Sequence, residues 1–365
     1  MKNYIHPKKI KVLLITLSKN SYGGVVEYNN GVLVNSNCNI SSFSTTSGFV
    51  KSNFLKFFVL FFDVIRLISI LSRKKIELVH VNPSLSINSF IRDAMFVFVA
   101  KLFNKKIFVQ WHGWNPKNEF LLKGIFLKIL KISFMQAEHT SFLYNELKMK
   151  YLALGYKNNT SISSTFISKE LVGNMGERKR FDSNVELLFL STVSINKGIY
   201  KAVELFLLLK KINPNLVLTI AGKGPELNNV KERYEDEVGI KFKGYVKGKE
   251  KVKLLEEADI YLFPSEYEGM PISILEAMYF GLPVITTRVG AIKDFFIDHK
   301  MGYSCYTNNF VDIQYNNLSS LILDTNLRKK MSDFNKNFAK DNYSASKVIS
   351  KLDSTYTRIV NENKV

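Results

Sequence analysis

Short apolar runs alternate along the chain with longer stretches whose apolar residues recur at helical spacing. The first run, KIKVLLITLS, reads as a buried strand, and the glycine turn SYGGV after it opens a helical stretch. A long helix is expected over Phe54–Leu71, then a strand in IELVHVNPS, a helix in IRDAMFVFVAKLFN and a strand in KIFVQWHGW. Strand–helix–strand alternation of this kind builds a parallel sheet with helices on both faces.

The polar, glycine-containing stretch Lys169–Asn184 interrupts the pattern and reads as a linker. The rhythm then restarts through VELLFLSTV, KGIYKAVELFLLLKKIN, LVLTIAGKGPE, IKFKGYV, KEKVKLLEEA, DIYLFPS and PVITTRVGA. The pattern therefore predicts an α/β protein of two doubly wound, Rossmann-like domains in tandem, over residues 1–172 and 183–340. In such sheets ligands bind beyond the carboxyl ends of the strands. The loops to inspect are SYGGV, HVNPS, QWHGW, STVSINKG, AGKGPE and PSEYEGMP.

Composition adds limits. At 365 residues, 46% hydrophobic and 23% charged, the chain is globular in character. Cys38 and Cys305 are far apart and in no metal-like spacing, which points to a reducing compartment. The apolar run VLLITL is too short for a signal peptide. Phe54–Leu71 contains Lys56, Asp63 and Arg66, which fits a crossover helix better than a membrane span. Of the net charge of +19, residues 1–181 carry +17. A lysine-rich background would raise both halves, so a basic first half implies an anionic partner such as phospholipid, nucleic acid or a phosphorylated lipid.

Candidate chemistry clusters in the strand-end loops. In EYEGMPISILEAMYFGLPVI, Pro271 suits the first position of a helix and Gly281 its stop, giving a helix of about Pro271–Phe280. Glu268 then precedes the helix and Glu276 falls in its second turn. The helix N-terminus favours phosphate, whereas carboxylates beside it suit hydroxyls, so a diphosphate flanked by two hydroxylated rings fits: a nucleotide sugar. An amphipathic core helix explains Ile272, Leu275 and Met278 equally well, but not Glu276. Lys197 with Gly198 at a strand-to-helix turn can reach a phosphate, or be a solvated surface lysine. Gly222 and Lys223 lie in a glycine turn lacking the Walker and dinucleotide spacings, which argues against a nicotinamide dehydrogenase. Gly23 and Gly24 allow close backbone approach. His112, between Trp111 and Trp114, can hydrogen-bond a sugar on which the indoles stack, or pack in an aromatic cluster. No Asp-x-Asp diphosphate–metal motif occurs, so a leaving diphosphate must be met by lysine and helix dipoles.

The run PSEYEGMPISILEAMYFGLPVITTRVGAIKDF, preceded in order by SYGGV, HG, LSTVSINKG, AGKGPE and FKGYV, resembles the family 4 glycosyltransferases of the GT-B fold over about residues 10–300. That resemblance implies two Rossmann-like domains facing each other across a cleft, with a C-terminal helix of about 346–365 returning to the first domain. It implies retaining transfer from a UDP- or GDP-sugar, with no cofactor and no required metal. By position, Glu268 with Gly269, Met270 and Pro271 matches the sugar contact, and Glu276 the ribose contact. Lys197 with Gly198 matches the phosphate lysine, His112 the histidine near the reacting centre, and Gly23 and Gly24 the loop over the diphosphate. Catalytic roles thus fall to His112, Glu268 and Lys197, and donor binding extends to Gly222 and Lys223. The family often has arginine five residues before the phosphate lysine. Here that position is Thr192, for which Lys223 or Arg288 would substitute.

The expected acceptor is a lipid-linked saccharide in bacterial surface polysaccharide assembly, handled in the cytoplasm at the inner face of the membrane. The stretch Phe120–Ser133, with Lys123, Lys128 and Lys131 among bulky apolar residues, can lie at an anionic membrane surface or be a buried crossover helix. The rivals are a GT-B nucleotide-sugar epimerase and a non-enzymatic binder of anionic polymers. No nucleic-acid module is recognisable, and no nucleic-acid partner is expected.

Overall fold

The structure is a computed structural model and describes residues 9–16, 23–46, 53–113, 116–173 and 184–362. Ser21, Tyr22, Trp114 and the linker core 174–183 lie outside the described residues. The chain divides into two compact units, Met1–Thr165 with Ala345–Val365, and Phe166–Ser344.

In the first unit the elements run β1 (Lys11–Thr16), α1 (Gly24–Asn35), β2 (Asn39–Ser44), α2 (Asn53–Arg73), β3 (Leu78–Val81), α3 (Ile87–Leu102), β4 (Lys106–Trp111), α4 (Gly124–Ile132), β5 (His139–Phe142), α5 (Asn145–Ala153) and β6 (Asn159–Ile162). The strands form a six-stranded sheet in the order β2-β1-β3-β4-β5-β6, with every pairing parallel. The central strands are buried on both faces, which is why KVLLIT and LVHV read as continuous rather than alternating apolar runs.

The second unit begins earlier than the linker predicts. Ile167 donates its N–H to Tyr343 O at 3.0 Å and bridges Ser344, so residues from 166 onward already belong to it. Its elements are α6 (Lys169–Gly173), β7 (Glu186–Leu190), α7 (Ile199–Lys210), β8 (Val217–Ala221), α8 (Leu227–Tyr234), β9 (Ile240–Gly244), α9 (Gly248–Glu257), β10 (Ile260–Phe263), α10 (Ile272–Tyr279), β11 (Val284–Thr287), α11 (Ile292–Phe295), β12 (Gly302–Cys305), α12 (Phe310–Leu323) and α13 (Thr325–Tyr343). Its sheet is also parallel and six-stranded, in the order β12-β11-β10-β7-β8-β9. Leu187, Phe189, Leu218 and Ile220 from its strands pack with Val203 and Phe206 of α7 and Leu318 of α12. The strand order reverses between β7 and β10, and the loops leaving those strands are the ones that carry Lys197 and Glu268.

The last helix, α14 (Ala345–Asn361), belongs to the first unit and packs on α1 and β4. Its apolar side supplies Val348, Ile349, Leu352 and Ile359 to the core. Its polar anchors reach far back along the chain. Asp353 accepts from Ser36 Oγ at 2.6 Å and Asn37 N at 2.8 Å, and Arg358 donates to His139 Nδ1 at 3.1 Å. Among the described residues, no helix is long and apolar enough to cross a membrane.

Candidate active site

The loop after β7 tightens into a 3-10 turn at Ile195–Lys197 and leaves it through Gly198, whose φ of 76° lies in the left-handed region. A Cβ on Gly198 would sit 2.1 Å from Pro264 O, so glycine here lets the β7 and β10 loops touch backbone to backbone. Glu266 N donates to Asn196 O at 2.8 Å and closes that contact. Lys197 is thereby delivered to Glu268, with Nζ 2.5 Å from Oε1. The pair is largely shielded, the side chains being 27% and 9% exposed. From the other side, Gly290 at φ +52° passes so near that a Cβ would lie 2.0 Å from Glu268 O, and Ala291 N donates to Gly269 O at 2.8 Å. The loops after β7 and β11 therefore hold the loop that carries Glu268 and Gly269 in place.

Pro271 stands at the N-cap of α10 with extended backbone, so the helix starts at Ile272, one residue later than the sequence suggests. Its own backbone carbonyl is the acceptor for Ile274 N at 3.2 Å, so the turn starts without a side-chain cap. Met270 and Pro271 are buried beneath the loop. Glu276 is also buried, at 3% exposure, and is met by Lys251 of α9, whose Nζ lies 2.7 Å from Oε1 and 2.6 Å from Oε2. Tyr261 of β10 is fully buried, its hydroxyl donating to Leu190 O at 2.8 Å. Burial raises the Tyr261 phenol well above its ordinary value, and the Glu276 and Glu268 carboxylates raise it further.

Gly222, at φ +144°, faces Ser191 O so closely that a Cβ would fall at 1.8 Å, and its N–H donates to Gly244 O at 2.6 Å. Its glycine requirement comes from packing the β8 turn against the β7 loop. Lys223 Nζ lies 4.9 Å from the Tyr245 ring centroid. Arg288, one of two expected substitutes for a guanidinium at Thr192, is engaged elsewhere: its guanidinium is bonded to Asp298, and Nε donates to Ser304 Oγ at 2.9 Å.

In the first unit, Gly23 caps α1 with a φ of 129° and Gly24 is its first residue. His112 follows the carboxyl end of β4. Its Nε2 is 2.8 Å from Asn82 Oδ1, and the same oxygen is 3.1 Å from His80 Nε2. An amide oxygen only accepts, so both imidazoles carry their proton on Nε2. Asn82 Nδ2 in turn donates to Asn29 Oδ1 at 3.0 Å, and Tyr356 of α14 donates its hydroxyl proton to His80 Nδ1 at 2.5 Å. His112 is left with Nδ1 as its acceptor nitrogen, and packs edge-on to Tyr28 at 4.7 Å between centroids. Trp111 does not offer a stacking surface: it is fully buried against Phe134 and Tyr151.

Burial pushes His80 and His112 down to about 3, and burial with the Arg358 charge lowers His139 to about 4. These residues stay neutral in the fold and take up protons on unfolding. Stability of the first unit is therefore expected to be full above pH ~6.5 and to fall as pH drops toward those values, by about 1.4 kcal/mol per pH unit for each histidine. The two tryptophans, Trp111 and Trp114, both belong to the first unit, so urea unfolding followed by tryptophan fluorescence reads this unit alone. A midpoint unchanged between pH 7 and pH 5 would contradict the buried neutral histidines.

Sequence reasoning singles out Lys197, Glu268 and Glu276 but not Lys251, Asn82, His80 or Tyr356. Lys251 sits among other lysines in an amphipathic helix, where nothing local distinguishes it. Asn82 lies in the strand-end stretch HVNPS, and its position after a strand is the only cue.

Residues 175–338 match the family model Glycosyl transferases group 1. The chain is 24% identical over 284 residues to an uncharacterized glycosyltransferase, MJ1069, of Methanocaldococcus jannaschii, covering 73% of this chain and 72% of that one. It is 23% identical over 235 residues to an Escherichia coli UDP-Gal:alpha-D-GlcNAc-diphosphoundecaprenol alpha-1,3-galactosyltransferase, covering 62% of this chain and 51% of that one. Against several other curated relatives the match spans only 30% to 47% of their length. In fold the chain is similar to HepE of Anabaena, solved with UDP and glucose, with a TM-score of 0.72 at 13% identity, over 95% of this chain and 99% of that one. The architecture of two parallel six-stranded sheets with flanking helices is that of the GT-B glycosyltransferases.

Proposed function

We propose that the protein is a retaining, metal-independent glycosyltransferase of family 4. In this reading it moves a sugar from a nucleotide donor to a lipid-linked saccharide during bacterial surface polysaccharide assembly, in the cytoplasm at the inner membrane face. The observation that carries this reading is the Lys197–Glu268 pair at the point where the second sheet reverses its strand order, within the group 1 match. Lys197 and the α10 N-terminus meet the donor diphosphate, Glu268 takes hydroxyls of the sugar, and Glu276 takes those of the ribose. By the family resemblance Gly23 and Gly24 are diphosphate-contacting positions of the first unit, and His112 in the same unit offers its Nδ1 as an acceptor. Glu268 is held by Lys197 rather than poised as a nucleophile. That favours attack from the face the leaving group departs, with the departing phosphate taking the acceptor proton. The named substrate of the Escherichia coli relative supports a diphospholipid acceptor, and HepE's bound UDP supports a uridine nucleotide.

The test is a thermal-shift screen with UDP- and GDP-sugars, followed by product analysis. A true donor raises the melting temperature by mass action, by about 2.7 kcal/mol of stability at a hundred times its Kd. No shift with any nucleotide sugar removes the donor assignment. Conversion of the donor with no acceptor present would favour an epimerase instead.

A further inference from the structure

We propose that Tyr356 of α14 decides which nitrogen His112 offers to substrate, acting through His80 and Asn82, and that these three are positioning residues for sugar transfer. The inference rests on the proposed function for the place of His112 beside the reacting sugar. The hydrogen-bonded chain itself lies wholly within the first unit.

Tyr356 is fully buried, and His80 Nδ1 at 2.5 Å is the one hydrogen-bond partner of its hydroxyl among the described residues. A buried phenol proton is not left unpaired, so it goes to that nitrogen. His80 is itself wholly buried and neutral, so its own proton sits on the other nitrogen, Nε2. That N–H needs an acceptor, and Asn82 Oδ1 is 3.1 Å away. The amide is thereby oriented, oxygen toward the histidines and nitrogen toward Asn29 Oδ1 at 3.0 Å. The same oxygen lies 2.8 Å from His112 Nε2, and an atom that only accepts requires a proton there. Turned over, the amide would set N–H groups against both rings and move both protons to Nδ1. The Tyr356 proton would then have no acceptor. The direction of the whole chain is set at its far end, on the C-terminal helix.

The choice is a chemical one. With its proton on Nε2, His112 accepts a hydrogen bond at Nδ1, and with its proton on Nδ1 it would donate one. A substrate hydroxyl that needs an acceptor is met by the first form alone. The other titratable groups of the surrounding elements are engaged elsewhere. Tyr28 of α1 meets the ring edge-on and gives its proton to Gln110 Oε1 at 2.9 Å. On α14, Asp353 accepts from Ser36 and Asn37, and Arg358 donates to His139. These two contacts also anchor the helix that carries Tyr356.

The experiment reads the histidine ring nitrogens of the full chain by 15N–1H NMR, alongside kcat and KM for transfer. His112 is assigned by the signals lost in His112→Ala. The parent is expected to show His112 protonated on Nε2 and bare at Nδ1 from pH 8 to pH 5. Tyr356→Phe removes the phenol proton, so both rings should populate the Nδ1–H form. Its kcat should fall about tenfold at an unchanged KM for the donor, as the accepting form becomes the minority. Asn82→Asp places an acceptor-only carboxylate at the junction and holds the proton on Nε2 whatever stands at position 356. Adding Tyr356→Phe to Asn82→Asp should therefore change neither the NMR pattern nor kcat at pH 8, whereas a merely structural tyrosine would cost the same in both backgrounds. The carboxylate also raises His112 from about 3, so transfer by Asn82→Asp should gain an acid limb that the parent lacks. Activity then falls as pH drops, because the imidazolium has no acceptor nitrogen. An Nδ1–H pattern on His112 in the parent, equal loss from Tyr356→Phe in both backgrounds, or unaltered kcat in Tyr356→Phe or His112→Ala would overturn the proposal. The thermal shift from a nucleotide sugar should be that of the parent in every variant, since the donor's grips lie in the second unit. Its absence in the parent would sink the transferase reading, whereas a wrong tautomer with the shift intact would sink this proposal alone.

Discussion

Alanine at Lys197 or at Glu268 is expected to lower sugar transfer by about a hundred- to a thousandfold while leaving the fold intact. The scale is that of removing one preorganised group that meets charge developing on a leaving atom. The two positions should fail differently. Lys197 meets the diphosphate, so Lys197→Ala should lose the thermal shift given by the bare nucleoside diphosphate. Glu268 holds the sugar, so Glu268→Ala should keep that shift and lose the extra shift of the nucleotide sugar. The 2.5 Å contact between them means that each variant also frees its partner. Lys197 is 27% exposed and Glu268 9%, so Glu268→Ala leaves a cation that water reaches, while Lys197→Ala leaves a more shielded carboxylate and should cost more stability, which the melting temperature reads separately from activity. Lys197→Arg should not restore transfer, since a planar fork does not reproduce a point charge in a tight turn. Full activity in either alanine variant would remove both residues from the site.

The second large effect is on stability. Lys251→Met is expected to destabilise the second unit by about 3 kcal/mol, because it strands the Glu276 carboxylate at 3% exposure without its cation. The double variant Lys251→Met/Glu276→Leu removes both charges and should recover most of that loss, since a well-packed apolar pair is often no less stable than a buried ion pair. Recovery of stability should not bring recovery of nucleotide affinity if Glu276 holds the ribose hydroxyls. Chemical unfolding of the two single variants and the double variant gives the coupling directly. Additive losses would mean that the ion pair holds nothing.

Much of the fold is legible locally. Strands such as KVLLIT and LVHV declare themselves because burial on both sheet faces demands unbroken apolar runs. The glycines after the strands mark turns that only a residue without Cβ can make, as at Gly198, Gly222 and Gly290. The loop and helix carrying Glu268 and Glu276 are bounded by Pro271 and Gly281, and the structure moves that start by a single residue. The boundary between the units errs for a non-local reason, since the switch to the second unit at 166 depends on a bridge from Ile167 to Ser344, far along the chain.

What the sequence determined by itself is therefore the kind of elements, their order and the chemistry at their ends. Strand order belongs to the tertiary structure, and it alone places β7 beside β10 and so Lys197 beside Glu268. Lys251 and Tyr356 likewise acquire their roles from helices that pack across the chain, where no periodicity marks them out from their neighbours. The apolar face of α2 is the sharpest case. Helical spacing identifies a stripe, but not whether protein covers it, and here Asp63 is inside while Phe61 and Phe62 are outside. The physical reason is common to all of these. Conformational preference and hydrophobic period act within a few residues, whereas charge pairing and burial depend on which distant segment arrives at the same place.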